Sequence, residues 1–293
     1  SPCVQELEES EQIDTQGSTW GTTDWADRAG THAEVEVVFT DSWSTGASGT
    51  DRDVVFDASS DPGALARAEW IKFVSVFFNE EERANVYFGR EQVAFNTIAT
   101  STAALADANT EKSCIWVSHY DGTYTLSFST YKQELCVGAG LTPWTDATAL
   151  AAGSYAKYLT SDSELHAILK TIDVVIDETY HFDVVNADKD KVLAALNISD
   201  PADTSDSLKS GGVFLRTDGH VTDAVTNLTD ASTNSLDWYE SAIARPALVL
   251  ADLAHKVWPS DISVPASGCS RYFRDVLAGD MPTVNGKDKC STR

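Results

Sequence analysis

The chain has 293 residues, enough to bury one large hydrophobic core or two medium ones. Its 45 acidic residues outnumber the 21 basic ones, and the formal net charge of −24 excludes duplex nucleic acid and anionic membrane surfaces as partners, since both demand a cationic footprint. No apolar run reaches the ~18 residues of a bilayer span. The opening SPCVQELEES has neither the basic start nor the apolar stretch of a signal peptide, so any such peptide is expected to have been removed.

The first forty residues are polar and acidic. AEVEVVF, Ala33 to Phe39, alternates and is rich in β-branched residues, and RDVVFD, Arg52 to Asp57, is a second short strand. The Gly- and Ser-rich connection between them carries Trp43, as a packing lid or as a ligand contact. Beyond it Asp61 can cap a helix, Pro62 suits a first turn, and Leu65, Ala68, Ile71, Val74 and Phe77 recur every three or four residues. This spacing predicts one long amphipathic helix, separated by the Phe88-Gly89 step from a second helical run through Gln92 to Leu105.

From Lys112 the rhythm changes. CIWVSHY is a buried strand, DGTYTLSFSTYKQELCVGAG a loop passing into a helix that glycines close, and SDSELHAILKTI a helix opened by a capping box from Ser161 to Glu164. DVVIDETYHF supplies a strand, Asp188 to Leu196 a helix, GGVFLRTDG a strand, and Pro246 to Trp258 the last helix, stopped by Pro259. The alternation predicts an α/β sandwich on a largely parallel sheet.

The five cysteines, Cys3, Cys114, Cys136, Cys269 and Cys290, have no C-x-x-C spacing, which leaves disulfides or buried thiols. Cys114 and Cys136 flank one structural unit, Cys269 and Cys290 bracket an irregular tail, and Cys3 is left over. Sequons at Asn197-Ile198-Ser199 and Asn227-Leu228-Thr229 suggest a eukaryotic secretory route and a glycoprotein.

Chemistry-bearing motifs are sparse. No phosphate-cradling or dinucleotide glycine pattern occurs, GAG at Gly138 to Gly140 is a helix stop, and no G-x-S-x-G elbow is present. The histidines lack metal-ligand spacing. Asp177 and Glu178 follow a strand, where carboxylates either solvate the sheet's mouth or touch a polar ligand. Aromatic residues also collect after strands: Trp43, His119, Tyr120, Tyr124, Tyr180, His181, and Trp238-Tyr239 beside Asp237. Such rings would converge on one cleft and suit a large, flat, partly apolar molecule with polar edges.

SSDPGALARAEWIKFVSVFFNEEERA, SCIWVSHYDGTYTLSFSTYKQELCVGAGL, IDVVIDETY and DWYESAIARPALVLADLAHKVWP resemble, in order and spacing, the bridging helix and C-terminal lobe of class III periplasmic substrate-binding proteins. AEWIKF and LADLAHKVWP are similar to the cobalamin acquisition proteins of marine diatoms. The resemblance implies an α/β fold of two lobes joined by one long rigid helix, about Pro62 to Tyr87, with the N-terminal lobe incomplete in this chain. The corresponding division is 1–60 for part of the N-terminal lobe, 61–106 for the bridging and following helices, 107–260 for the C-terminal lobe and 261–293 for a disulfide-bearing tail. It also aligns Asp237-Trp238-Tyr239-Glu240 with a rim turn and Trp43 with a ring over the ligand.

The resemblance implies no enzyme and no resident cofactor or metal, but a secreted or cell-surface protein that captures cobalamin, a cobalt corrinoid, for a membrane transporter or receptor. The expected ligand residues are Trp43, His119, Tyr120, Tyr124, Glu178, Tyr180, Asp237, Trp238 and Tyr239. A ferric siderophore or haem is the first alternative, disfavoured by the scarcity of Arg and Lys in the named loops. An extracellular hydrolase using Asp177, Glu178 and His119 is another, and it requires those side chains to meet at one substrate atom.

Overall fold

The computed structural model describes residues 37–40, 53–108, 111–181, 183–200, 203–222, 236–263 and 272–285. Trp43, Cys3, Cys269, Cys290 and Asn227 lie outside them.

Two short strands, β1 (Val38–Thr40) and β2 (Asp53–Val55), pair in parallel. Helix α1 (Ala64–Ser75) follows and tightens into a 3₁₀ turn at Val76–Phe78. Asn79 then takes a left-handed conformation, φ 54°, which ends the helix there. The expected single helix from Pro62 to Tyr87 is therefore two. Its second part continues through Gly89 as α2 (Glu81–Ala108), whose 28 residues make a rod of about 42 Å. Ala84, Phe88, Phe95 and Thr102 are buried along one side of α2, and the half-buried Glu91, Ile98 and Leu105 complete that stripe. Burying it outweighs the ~1 kcal/mol cost of an interior glycine.

The C-terminal part is a three-layer sandwich. Strands β3 (Ser113–Tyr120) and β4 (Thr123–Ser127) form a hairpin whose turn, Asp121-Gly122, has positive φ at both residues. Next come α3 (Thr130–Gly138), β5 (Thr142–Pro143), α4 (Ala147–Ala151), β6 (Ala156–Leu159), α5 (Asp162–Leu169), β7 (Val174–Asp177) and α6 (Lys189–Ala195). The chain continues with β8 (Val213–Arg216), β9 (His220–Thr222), α7 (Asp237–Ser241), α8 (Pro246–Val257), β10 (Arg274–Asp275) and β11 (Thr283–Asn285). The main sheet has the order β10-β8-β7-β3-β4-β6, with β5 beside β3. Strands β8, β7, β3 and β5 run parallel, whereas β4, β6 and β10 pair antiparallel to their neighbours. The largely parallel sheet expected from sequence is thus mixed, because DGTYTLS is turn and strand rather than loop.

Alternation along the central strands divides the core between the sheet's two faces. Cys114, Trp116, Val174, Ile176 and Leu215 meet Leu135 and Cys136 of α3 and Val249, Leu250 and Leu253 of α8. Ile115, Val117, Val175 and Phe214 meet Leu165 and Leu169 of α5 and Val192 and Leu193 of α6. Helix α2 packs on α1, α3 and α8. At one crossing Thr102 Oγ1 donates to the Gly138 carbonyl (2.5 Å), and a Cβ on Gly140 would stand 2.7 Å from the Thr102 carbonyl oxygen. Only glycine fits that approach. A disulfide joins Cys114 on β3 to Cys136 on α3, with Cα atoms 6.1 Å apart. Among the described residues no helix is long and apolar enough to cross a membrane.

Candidate ligand-binding site

A cavity of about 240 Å³ opens where α1, α3, α7 and the start of α8 meet the end of β7. Ala64, Leu135, Ile243, Pro246 and Val249 make its apolar lining, and Trp238 adds an indole. Its polar groups are Ser59, Arg67, Tyr131, Glu178 and Tyr239. The Arg67 guanidinium lies 3.8 Å from the centroid of the Tyr131 ring, and its Nε donates to the Asp61 carbonyl (2.7 Å). Lys132 donates to the Glu178 carboxylate, and its ammonium stands 5.1 Å from the centre of the Trp116 ring. Burial first, and then the Glu178 charge, push the Tyr131 phenol above its ordinary range, so it remains a neutral donor.

Of the residues expected from sequence, Glu178, Trp238 and Tyr239 come together at this cavity. Trp238 is not displayed as the sequence suggested. It is 9% exposed and packs against Trp116 (5.7 Å between centroids), Phe273 (5.6 Å) and Tyr272 (6.1 Å), with one side left to the cavity. Asp237 opens α7 and accepts from Ser241 Oγ (2.9 Å), bracing the turn. Tyr120 and Tyr180 are exposed, at 84% and 66%. Tyr120 follows Trp116 and Ser118 in the alternation of β3, and so continues the face on which the Trp116 ring meets Trp238.

His119 and Tyr124 are a correction. They are cross-strand partners, stacked with centroids 4.5 Å apart, and Tyr124 belongs to the core on the opposite face of the sheet. The Tyr124 hydroxyl donates to Asp162 (2.6 Å) and accepts from Asn197 Nδ2 (2.7 Å). The expected convergence failed because His119 and Trp116 differ in strand parity. The hydrolase trio separates as well, Glu178 by parity, and Asp177 and His119, which share a face, by the partners each takes. Asp177 is fully buried against Arg216, Glu178 turns to Lys132, and His119 stacks on Tyr124. These side chains share no substrate atom.

Arg67, Tyr131 and Lys132 are cavity-side groups that the strand-end argument missed. One signal was available: Lys132 sits in the first turn of α3, the wrong end of the helix dipole for a cation, which points to an anion held nearby.

Behind Glu178 lies a buried ionic cluster. Arg216 donates to Asp177 through Nη1, to Asp218 through Nε (2.7 Å) and to the Thr179 carbonyl through Nη2 (2.9 Å). Arg274 donates to both oxygens of Asp218 (2.5 and 3.0 Å). Burial works to raise the Asp218 carboxyl, yet the two guanidinium groups hold it below the ordinary carboxylate range.

This arrangement, a mixed sheet between helical layers with a long helix packed alongside, is the fold of class III periplasmic binding proteins. A periplasmic haem-binding protein from Pseudomonas aeruginosa is similar over 86% of this chain and 78% of its own, at 14% identity and a TM-score of 0.53. A siderophore periplasmic binding protein from the fuscachelin gene cluster of Thermobifida fusca is similar over 87% and 85%, at 17% identity and a TM-score of 0.54. SirA of Staphylococcus aureus is similar over 82% and 80%, at 10% identity and a TM-score of 0.51. No protein-family model and no curated protein matches the sequence.

Proposed function

We propose that the protein is a substrate-binding protein working outside the cytoplasm, which captures a haem-like or ferric-siderophore ligand at the Arg67–Glu178–Tyr239 cavity and hands it to a membrane transporter without bond chemistry. The observation that carries this reading is Arg67, a cation lining an apolar cavity whose one lining carboxylate, Glu178, is already neutralised by Lys132. That balance favours a ligand with an anionic edge and an apolar body. It reverses the sequence argument for a neutral ligand, which rested on the apparent lack of Arg and Lys. The cavity is smaller than the ~300–1,000 Å³ usual for a whole ligand. It therefore receives one end, and the exposed rings of Tyr120, Tyr180 and Tyr239 offer area for the remainder. The proteins of similar fold named above support the class of ligand.

A corrinoid is the second reading. It draws on the resemblance of the Asp237–Glu240 turn and on Trp43, and the same experiment decides it. Calorimetric titration of the full-length protein with haemin, a ferric siderophore and cyanocobalamin is expected to give binding to one of the first two. Binding of cyanocobalamin alone would establish the corrinoid reading, and binding of none would reject both.

A further inference from the structure

We propose that Arg216 is a positioning residue for the ligand site: from behind the sheet it clamps the segment Asp177–Tyr180, which presents Glu178 and Tyr180, and His181 makes that clamp sensitive to acid. The proposal rests on the binding role given above to Glu178 and Tyr180.

The clamp has several independent holds. Arg216 grips the segment twice, by the Asp177 carboxylate and by the Thr179 carbonyl. Thr179 closes the turn on itself, its N–H and Oγ1–H both donating to Asp177 Oδ1 (2.9 and 2.5 Å). Two bonds tie the same residues to β3: His119 N–H donates to Thr179 Oγ1 (3.0 Å), and Glu178 N–H to the Val117 carbonyl (2.8 Å). Because side chains alternate, fixing Asp177 and Thr179 on one face turns Glu178 toward the cavity on the other.

His181 ends this segment. Its Nε2 is buried and has no hydrogen-bond partner among the described residues. Among the described residues the charged groups around it are Asp177 at the end of β7, Arg216 at the end of β8, Asp218 in the following turn and Arg274 of β10. Two guanidinium groups and two carboxylates balance, so a protonated imidazole would add an uncompensated cation to a buried cluster. Burial, and next to it the Arg216 charge, hold the imidazole below its ordinary value in the clamped state. A group depressed in this way stabilises the clamped state fully above its free value, ~6.5, and that contribution is lost as the pH falls. Acid therefore loosens the segment and the ligand together.

Arg216 substitutions remove a buried charge and threaten folding, so the test uses His181→Gln and Thr179→Val in the full-length chain. Hydrogen–deuterium exchange of the peptide spanning 177–181, corrected for intrinsic rate, is compared between about pH 7.5 and 5.5 without ligand. In the unaltered protein, protection is expected to fall several-fold in acid, and in H181Q to stay flat. T179V, which removes both Oγ1 bonds, is expected to lower protection at least about tenfold at neutral pH, with cooperative unfolding retained. An identical acid profile in H181Q and the unaltered protein, or unchanged protection in T179V, would overturn the proposal. Haemin and ferric-siderophore titrations over the same range should lose affinity in acid in the unaltered protein and not in H181Q. Should neither ligand bind at neutral pH, the functional reading fails while the exchange result still decides the clamp.

Discussion

Lys132, in the first turn of α3, donates to the Glu178 carboxylate just beyond β7, and the two side chains are only 8% and 13% exposed. A pair so enclosed is worth less than the cost of breaking it from one side, because the survivor keeps its charge without a partner. Lys132→Met is therefore expected to destabilise the protein by about 2–4 kcal/mol, toward the lower end for a buried pair because Glu178 borders the cavity. The double variant K132M/E178Q should recover part of that loss. Urea unfolding of the three proteins checks both values, and equal stability of K132M and the unaltered protein would show the pair to be solvated.

Arg67 reaches the cavity from the opposite side, on α1, with its guanidinium laid over Tyr131. Among the described residues no carboxylate pairs with it. If it receives the ligand's anionic group, Arg67→Met should weaken the bound haemin or ferric siderophore by about 1.5–3 kcal/mol, the range for a charge-assisted hydrogen bond. Lost cation–π packing on Tyr131 would alter stability by no more than about 1 kcal/mol. Calorimetry paired with thermal unfolding separates the two effects.

Local signals carried much of the fold, and long-range contacts carried what the sequence concealed. Ser161 does cap its helix, its hydroxyl accepting from Glu164 N–H (3.3 Å), although the Glu164 carboxylate turns to Lys157 (3.4 Å), and GAG does end α3. The break at Asn79 was hidden because the apolar spacing runs on through Phe77 and Phe78, and only the asparagine after them marks the left-handed residue. Asp121-Gly122 was a hairpin signal left unused, and with it went the antiparallel β4 and the correct face for Tyr124. The Arg216 cluster could not be read locally. Its partners stand two, 37 and 39 residues away in the chain, and only the parallel register of β7 and β8 sets Arg216 beside Asp177.

Tyr124, Asp162 and Asn197 form a polar lock at the far side of the sheet. Burial, and after it the bond to Asp162, push the Tyr124 phenol up to about 12, so it donates at any physiological pH. That donation holds the Asp162 carboxyl below its ordinary range. A carboxyl so depressed contributes stability above its unfolded value of ~3.9, and the contribution is lost as the pH falls through the lower folded value. Tyr124→Phe should accordingly cost about 1 kcal/mol near neutrality and less at about pH 3, with ligand affinity unchanged. Urea unfolding at the two pH values tests the sign. A loss of haemin or siderophore binding in this variant would return Tyr124 to the ligand site.

The Cys114–Cys136 disulfide ties β3 to α3, and the helix it anchors carries Tyr131 and Leu135 to the cavity and Lys132 to Glu178. Cys114 lies two residues before Trp116 on the same strand face, and Cys136 directly follows Leu135. The bridge spans a sequence separation of 22, a closure worth about 3 kcal/mol in the chain-entropy account. Replacing both cysteines by alanine should lower the thermal midpoint by several degrees. It should also weaken ligand binding, because α3 then depends on packing alone, against α1, α2, α8 and the sheet. A reductant should act slowly on the native protein, since both cysteines are 1% exposed and the thiolate must reach a sulfur to exchange. Thermal unfolding with and without reductant, read beside titration of the double variant, tests each step. An unchanged midpoint in the double variant would mean that packing of α3 against α2, through Thr102 and Gly138, already fixes the helix without the bridge.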